Sequence, residues 1–322
     1  MKAIQIMETG GPEVMKYIDL PDPTPKAGQV VVQPKALGVN FTDVYTRAGV
    51  NPPASLPTVI GLEGAGVVTT LGDGVTSVAV GDRVAWSGVP GSYAELVAAP
   101  ADKLVKLPES LSFEDGAAIM LQGMTAHYLC HSSFPIKPGD TALVHAAAGG
   151  VGLILTQMIK MLGGTVIGTV STDAKAELAK NAGADHIIKY TEQDFEEEVG
   201  KITGGAGIEV AYDSVGLTTF DKSIACLKHR GYLVLFGASS GQVPPVPIPV
   251  LNAKSLFLTR PGLVSYTLTR EELEQRAGDV LGWVASGKLK LHMHGSFPLS
   301  EVADAHTQLA GRLTTGKLLL IP

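Results

Sequence analysis

The sequence predicts an α/β protein in which a doubly wound parallel-sheet domain is inserted into a β-rich domain. Three observations point there. Val-, Gly- and Pro-rich β runs fill the chain as far as Phe113, apolar β runs then alternate with helical stretches from Thr141, and helical segments with a strand-like tail close the sequence. At 322 residues the chain suits two domains of the usual ~100–200 residues each. With 45% apolar and 17% charged residues it can bury two cores and carries too little charge for disorder.

Taken in order, Met1–Ile6 reads as a strand, and Gln29–Ala36, Gly66–Leu71 and Arg83–Trp86 follow as β runs between turn signals, which predicts a compact, barrel-like β domain. Ser112 with Asp115 is a helix start, and Glu114–His131 carries apolar residues at helical spacing. The strands Thr141–Ala147, Thr165–Val170, His186–Tyr190, Ile208–Val215, Tyr232–Gly237 and Ser255–Thr259 alternate with helices. That rhythm implies βαβ units and a buried parallel sheet of Rossmann type. The Pro-rich Val243–Pro249 is expected to be a stiff connection, because proline breaks helices and central strands. Helices are expected over Arg270–Ser286 and Leu299–Arg312 and a strand over Lys317–Ile321. The domains are therefore 1–122, 123–264 and 265–322, the last returning to complete the first.

A net charge of −6, with Lys and Arg scattered singly, argues against a nucleic-acid partner. Cys130 and Cys226 are too few for a disulfide scaffold or a structural zinc site, and a reducing cytosol fits them. The first residues lack the apolar run of a signal peptide. Thr141–Val170, the most apolar stretch, is interrupted by His145, glycines, Gln157 and Lys160, so no membrane segment is expected.

The turn Ala147-Ala148-Gly149-Gly150-Val151-Gly152 carries the chemistry. A strand leads into it and an amphipathic helix, Val151–Leu162, leads out, which is the context a dinucleotide fingerprint requires. Small Ala147 permits a tight turn, Gly149 lets backbone approach a pyrophosphate, and Gly152 lets the helix pack against the sheet. The helix N–H groups and dipole then face the phosphates. At the end of the second strand, where a carboxylate would hold the ribose diol of NAD, stand Ser171 and Thr172, with Lys175 a turn later. Hydroxyls and an ammonium suit a 2′-phosphate, so NADPH is expected, although Asp173 lies close enough to leave an NAD-type contact open.

The segments Gly38-Val39-Asn40-Phe41-Thr42-Asp43, Gly61-Leu62-Glu63-Gly64-Ala65-Gly66, Val80-Gly81-Asp82-Arg83-Val84 and His145 to Gly152 resemble the medium-chain dehydrogenase/reductase superfamily. Within it the chain is most similar to the NADPH:quinone oxidoreductases related to zeta-crystallin. Tyr212 to Gly216, Phe236 to Ser240 and Thr259-Arg260-Pro261 extend the resemblance over essentially the whole chain. It implies a GroES-like catalytic domain around the Rossmann insert, and a homodimer made by joining Rossmann sheets edge to edge. The zinc-dependent alcohol dehydrogenases of the superfamily bind catalytic zinc with a Cys at the position of Asn40 and a His at that of Leu62, so the resemblance implies a zinc-independent enzyme. The pairs His127/His131 and His292/His294 match no metal position of the family and read as ordinary polar side chains, as does His145.

Without a Lewis acid, an electrophilic acceptor is needed, and quinones and α,β-unsaturated carbonyls fit because conjugation spreads the charge that hydride addition creates. The resemblance places Asn40 and Tyr45 beside the nicotinamide as hydrogen-bond donors to the developing oxyanion. Tyr45, with an ordinary pKa of ~10, is either the proton donor or a packing residue, and water could serve instead. The family pattern also places Tyr190 at the adenosine ribose-phosphate and Ser214, Phe236, Gly237 and Ser239 along the sheet edge by the cofactor. Thr125, Arg260 and Leu263 are further candidates, and Arg260 could instead form an interdomain salt bridge. The rival reading is a crystallin-like NADPH-binding protein, structural or sensing, with little turnover.

Overall fold

The computed structural model describes the whole chain, Met1–Pro322. In chain order the strands and helices are β1 (Lys2–Ile6), β2 (Met15–Asp19), β3 (Gln29–Val39), α1 (Phe41–Arg47), β4 (Thr58–Val59), β5 (Glu63–Leu71), β6 (Arg83–Ser87), β7 (Val97–Pro100), β8 (Leu104–Lys106), α2 (Phe113–Tyr128), β9 (Thr141–Val144), α3 (Gly150–Met161), β10 (Thr165–Val170), α4 (Asp173–Asn181), β11 (His186–Lys189), α5 (Phe195–Ile202), β12 (Ile208–Asp213), α6 (Phe220–Cys226), β13 (Leu227–Leu235), β14 (Phe257–Thr259), α7 (Arg270–Ala285), β15 (Met293–Pro298), α8 (Val302–Ala310) and β16 (Lys317–Ile321). Two compact units result, Met1–Met124 with Thr267–Pro322, and Thr125–Tyr266.

The first unit is built on β3. Its eleven residues pair antiparallel with β5 along one edge and, along the other, with β7 at the start and β16 at the end. The full order is β15-β16-β3-β5-β6-β8, and a separate three-stranded sheet runs β2-β1-β4. The register of β3 against β5 shifts between Pro34 and Ala36, where the proline has no N–H to offer the ladder. Val30, Val32, Leu37 and Val39 point into a core with Trp86, Tyr93, Leu318 and Leu320. Trp86 is fully buried and its indole N–H donates to Ser92 Oγ at 2.9 Å, so the large ring enters without an orphaned donor.

The second unit is a parallel six-stranded sheet in the order β11-β10-β9-β12-β13-β14. Ala142, Leu143 and Val144 of central β9 are all fully buried, as a strand covered on both faces requires. Helix starts follow local chemistry. Ser112 Oγ accepts from the Asp115 amide at 3.0 Å and Asp115 accepts from the Ser112 amide at 3.1 Å, and Thr269 with Glu272 repeats the device at α7.

Element ends shift, as where β9 stops at Val144, β13 starts at Leu227 and α8 spans Val302–Ala310, and three further segments differ from the sequence expectation. The helix from Glu114 ends at Tyr128 and continues as one wider turn, Leu129–Ser133. The last residues of the Pro-rich stretch, Ile248 and Pro249, open a 3-10 helix running to Lys254, because proline is accepted in a first turn. Ser255 closes that helix with φ of +51°, which delays the last strand to Phe257.

Candidate active site

In the Thr125–Tyr266 unit the chain runs from β9 outward through β10 and β11, then returns to add β12, β13 and β14 on the other side. Ligands of such sheets bind beyond the strand C-termini at that reversal. There the exposed Ala146 takes φ of +50° and turns the chain. The tight turn thus falls at Ala146 and not at Ala147, because the Ala147 amide still donates to Thr169 of β10 at 3.0 Å. Gly149 is the N-cap of α3 and brings no side chain to occupy the first-turn amides of Gly150, Val151 and Gly152. Those amides and the positive helix end suit a pyrophosphate. At Gly152 a Cβ would meet the Ala146 carbonyl oxygen and lie 2.8 Å from Ala147 Cα, so only glycine lets α3 begin against the turn.

Strand β10 ends at Val170, and its carbonyl accepts from the Tyr190 amide at 3.1 Å, while Thr191 Oγ1 donates to the Ser171 carbonyl at 3.1 Å. Ser171 and Tyr190 are thereby brought side by side, and Tyr190 is 43% exposed. Thr172 caps α4 by accepting from the Lys175 amide at 3.3 Å, which places Thr172 and Lys175 on the same first turn. Asp173, the acid that kept an NAD-type contact open, pairs with Lys189 at 2.8 Å.

Ser214, Phe236, Gly237 and Ser239 converge beyond β12 and β13. The Phe236 amide donates to the Asp213 carbonyl at 2.8 Å and the Ser239 amide to that of Ser214 at 3.2 Å. Beneath them Asp213, fully buried, accepts from the Val215 and Gly216 amides and from Thr219 and Ser223 hydroxyls. Ser223 spends its proton on that carboxylate, so its oxygen accepts from His145 Nε2 at 2.9 Å, and His145 Nδ1 accepts from Thr169 Oγ1 at 3.0 Å. Burial lowers the His145 pKa, with Asp213 opposing, which keeps the ring neutral as this pattern needs. His145 thus ties the end of β9 to β10 through Thr169 and, through Ser223 of α6, to Asp213 at the end of β12. Sequence reasoning missed both His145 and Asp213 as organisers of this edge. Arg260 donates to the Leu235 carbonyl at 2.9 Å, inside its own unit. Thr125 is buried in α2, and stacking of Tyr128 on Tyr266 at 4.3 Å holds the end of α2 beside the short Leu263–Tyr266 turn.

In the other unit Asn40 caps α1, and Tyr45 lies on that helix with its ring 5.9 Å from Phe41. The Asn40 amide is buried and engaged on both sides. Nδ2 donates to Glu63 Oε2 at 2.8 Å, and Oδ1 accepts from Lys317 Nζ at 2.9 Å. Asp43 accepts on Oδ2 from the Asn40 backbone N–H and the Tyr93 hydroxyl, both at 2.9 Å, while its buried Oδ1 has no partner. Burial pushes its pKa up to about 7 against those two bonds and the Lys317 charge, with Glu63 adding to the rise. His306, 3.3 Å from the Tyr93 hydroxyl, is pushed down to about 3 by burial and then by Arg47.

A carboxyl whose folded pKa exceeds its unfolded value adds stability below the unfolded value and loses it as pH rises through the folded one. Asp43 therefore favours the fold near pH 4 and ceases to do so above about pH 7. Depressed His306 has the opposite sign, so the difference between wild type and Asp43→Asn isolates the carboxyl. The melting temperature of Asp43→Asn, relative to wild type, is expected to rise from pH 4.5 to pH 8. Calorimetry over that range checks this, and a constant offset refutes it.

Comparison with known proteins covers the whole chain. Residues 26–109 match the family model of the alcohol dehydrogenase GroES-like domain, and residues 150–282 that of the zinc-binding dehydrogenases. Quinone oxidoreductase 1 of Escherichia coli is 43% identical over 99% of each chain, and a 2-haloacrylate reductase of Burkholderia sp is 43% identical over 99% of this chain and 98% of its own. Among solved structures, E. coli quinone oxidoreductase complexed with NADPH superposes over all of both chains with a TM-score of 0.98 at 43% identity. A mycobacterial protein complexed with NADPH does so with a TM-score of 0.97 at 47% identity, again over all of both chains. The chain therefore belongs to the quinone oxidoreductase family of the medium-chain dehydrogenases/reductases.

Proposed function

We propose that the protein is an NADPH-dependent reductase that passes hydride to a quinone or an α,β-unsaturated carbonyl. The observation that carries the reading is the end of β10. There Ser171, Thr172 and Lys175 stand where NAD enzymes have the ribose-binding carboxylate, and the acid next in sequence, Asp173, is paired with Lys189. The relatives solved with NADPH agree. Both relatives named by activity act on conjugated acceptors, a quinone and a 2-haloacrylate.

Bound along this edge, the cofactor supplies a hydride. The chain's part is to hold and to donate. The amides of Gly150, Val151 and Gly152 bind the pyrophosphate, with Gly149 giving it access. Ser171, Thr172 and Lys175 take the 2′-phosphate, and Tyr190 flanks the adenosine ribose. Ser214, Phe236, Gly237 and Ser239 border the cofactor along the strand ends, with Thr125, Arg260 and Leu263 as further contacts. Asn40 and Tyr45 line the acceptor pocket, and the Tyr45 phenol gives the proton that follows hydride addition. Tyr45→Phe is expected to lower kcat/KM roughly tenfold or more with at least some acceptors. Stopped-flow rates equal to wild type with every acceptor refute that role.

A homodimer joined through β14 is part of the proposal. This strand pairs only with β13 and leaves Phe257 half exposed on an open edge. A reducing, cytoplasmic setting suits Cys130 and Cys226, both buried free thiols. The deciding assay is NADPH absorbance in the presence of quinones, enones, aldehydes and an alcohol control. Oxidation with conjugated acceptors supports the reductase, whereas bound NADPH that is never consumed supports a structural or sensing protein.

A further inference from the structure

The order β16-β3-β5 sets two antiparallel neighbours beside the C-terminal end of β3. The first residue of each, Lys317 of β16 and Glu63 of β5, therefore lies next to Asn40, which follows β3. Lys317 Nζ is 2.5 Å from Glu63 Oε2 and 2.9 Å from Asn40 Oδ1, and the other Glu63 oxygen accepts from the Leu121 amide at 2.5 Å. Gly38 makes the room, since a Cβ there would collide with the Glu63 carboxylate and lie 2.6 Å from the Ala117 carbonyl oxygen. The ion pair is dry, with side-chain exposures of 3% for Lys317 and 0% for Glu63.

A buried ion pair is weak as a source of stability, because desolvation of both charges offsets their attraction and apolar replacements often serve as well. Its place beside the candidate acceptor site points to another role. In the zinc-bearing dehydrogenases the position of Asn40 holds a metal ligand. A divalent cation does not fit here, because Asn40 Oδ1 already faces an ammonium, Leu62 offers no donor atom, and no three His, Cys, Asp or Glu side chains gather to hold a metal.

We propose that Lys317, anchored by Glu63, is a positioning residue that fixes the orientation of the Asn40 amide at the head of α1. The inference rests on the reductase reading above. A donor on Oδ1 and an acceptor on Nδ2 decide which way the amide faces. Of the two Nδ2 hydrogens one goes to Glu63 and the other only to a long 3.4 Å contact with the Gly38 carbonyl, so that second N–H, polarised by the Lys317 bond on Oδ1, is the donor left for an oxygen that becomes anionic. Lys317 itself touches neither acceptor nor cofactor in this scheme.

The test uses three variants of the full-length protein, each measured for NADPH affinity by fluorescence, for kcat and KM with a quinone, and for thermal unfolding. Lys317→Met strands the Glu63 carboxylate and is expected to destabilise the fold. The double variant Lys317→Met, Glu63→Gln removes both charges and is expected to melt near wild type and bind NADPH equally well. Its kcat with the quinone is expected to fall at least tenfold with little change in KM. Lys317→Arg is expected to recover most of the lost kcat. A folded double variant with wild-type kcat overturns the inference. Should the double variant not fold, Asn40→Ala decides, since it keeps the ion pair, and wild-type turnover there would leave the pair nothing to position. A wild-type protein that binds NADPH and reduces no acceptor overturns the reductase reading instead.

Discussion

Gly149→Val and Gly152→Val are expected to abolish NADPH binding alike, with Kd raised more than about 100-fold, and to differ sharply in stability. At Gly149 a Cβ would lie 3.1 Å from the Ala146 carbonyl oxygen, a contact that a shift of a few tenths of an ångström relieves, so this variant stays folded and fails because its side chain occupies the pyrophosphate path. At Gly152 the added carbon runs into backbone of Ala146 and Ala147, and α3 must move off the sheet. Overpacking of that kind costs about 1–3 kcal/mol, which at ~2–4 °C per kcal/mol lowers the melting temperature by roughly 2–12 °C. Fluorescence titration and calorimetry on the same samples separate the two. Unchanged NADPH affinity in Gly149→Val would remove the turn from the cofactor site altogether.

Lys175→Ala is expected to raise KM for NADPH by roughly 10–100-fold and leave NADH within about threefold, since a charge-assisted bond to a phosphate is worth about 1.5–3 kcal/mol. The cap at the head of α4 comes from Thr172 through the Lys175 backbone amide, so truncating the lysine side chain leaves the helix start intact. Steady-state kinetics with the two cofactors decides, and equal losses with both would sink the 2′-phosphate assignment. Asp173→Ala should change either KM little, because its partner Lys189 also pairs with Glu192 at 3.0 Å and both acids are largely exposed.

The parts legible in the sequence are those whose cause is local. The strand-turn-helix around Gly149 to Gly152, the helix start at Ser112, and the β10 terminus all depend on neighbours a few residues away. What the sequence hides is chemistry between distant segments. Glu63 reads as an acid in a glycine-rich strand, and Lys317 as a lysine flanking the apolar run Leu318–Ile321. Their pairing appears only once β16 and β5 lie on either side of β3. A charge just before an otherwise apolar strand was the one available signal. His145 was masked in the same way, since Thr169 and Ser223 lie 24 and 78 residues from it. The left-handed Ala146 had no signal at all, because nothing about alanine announces φ of +50°.

The dependence of β3 on β16 bears on the order in which the nascent chain matures. Val39 meets Leu318 in the ladder, and Lys317 meets Asn40 across 277 positions. The first-made unit therefore cannot complete its sheet until the last strand has been synthesised, while Thr125–Tyr266 is continuous and contains all its own strands. Until β16 exists, the C-terminal half of β3 lacks its second neighbour, the kind of unpaired strand edge through which chains misassemble.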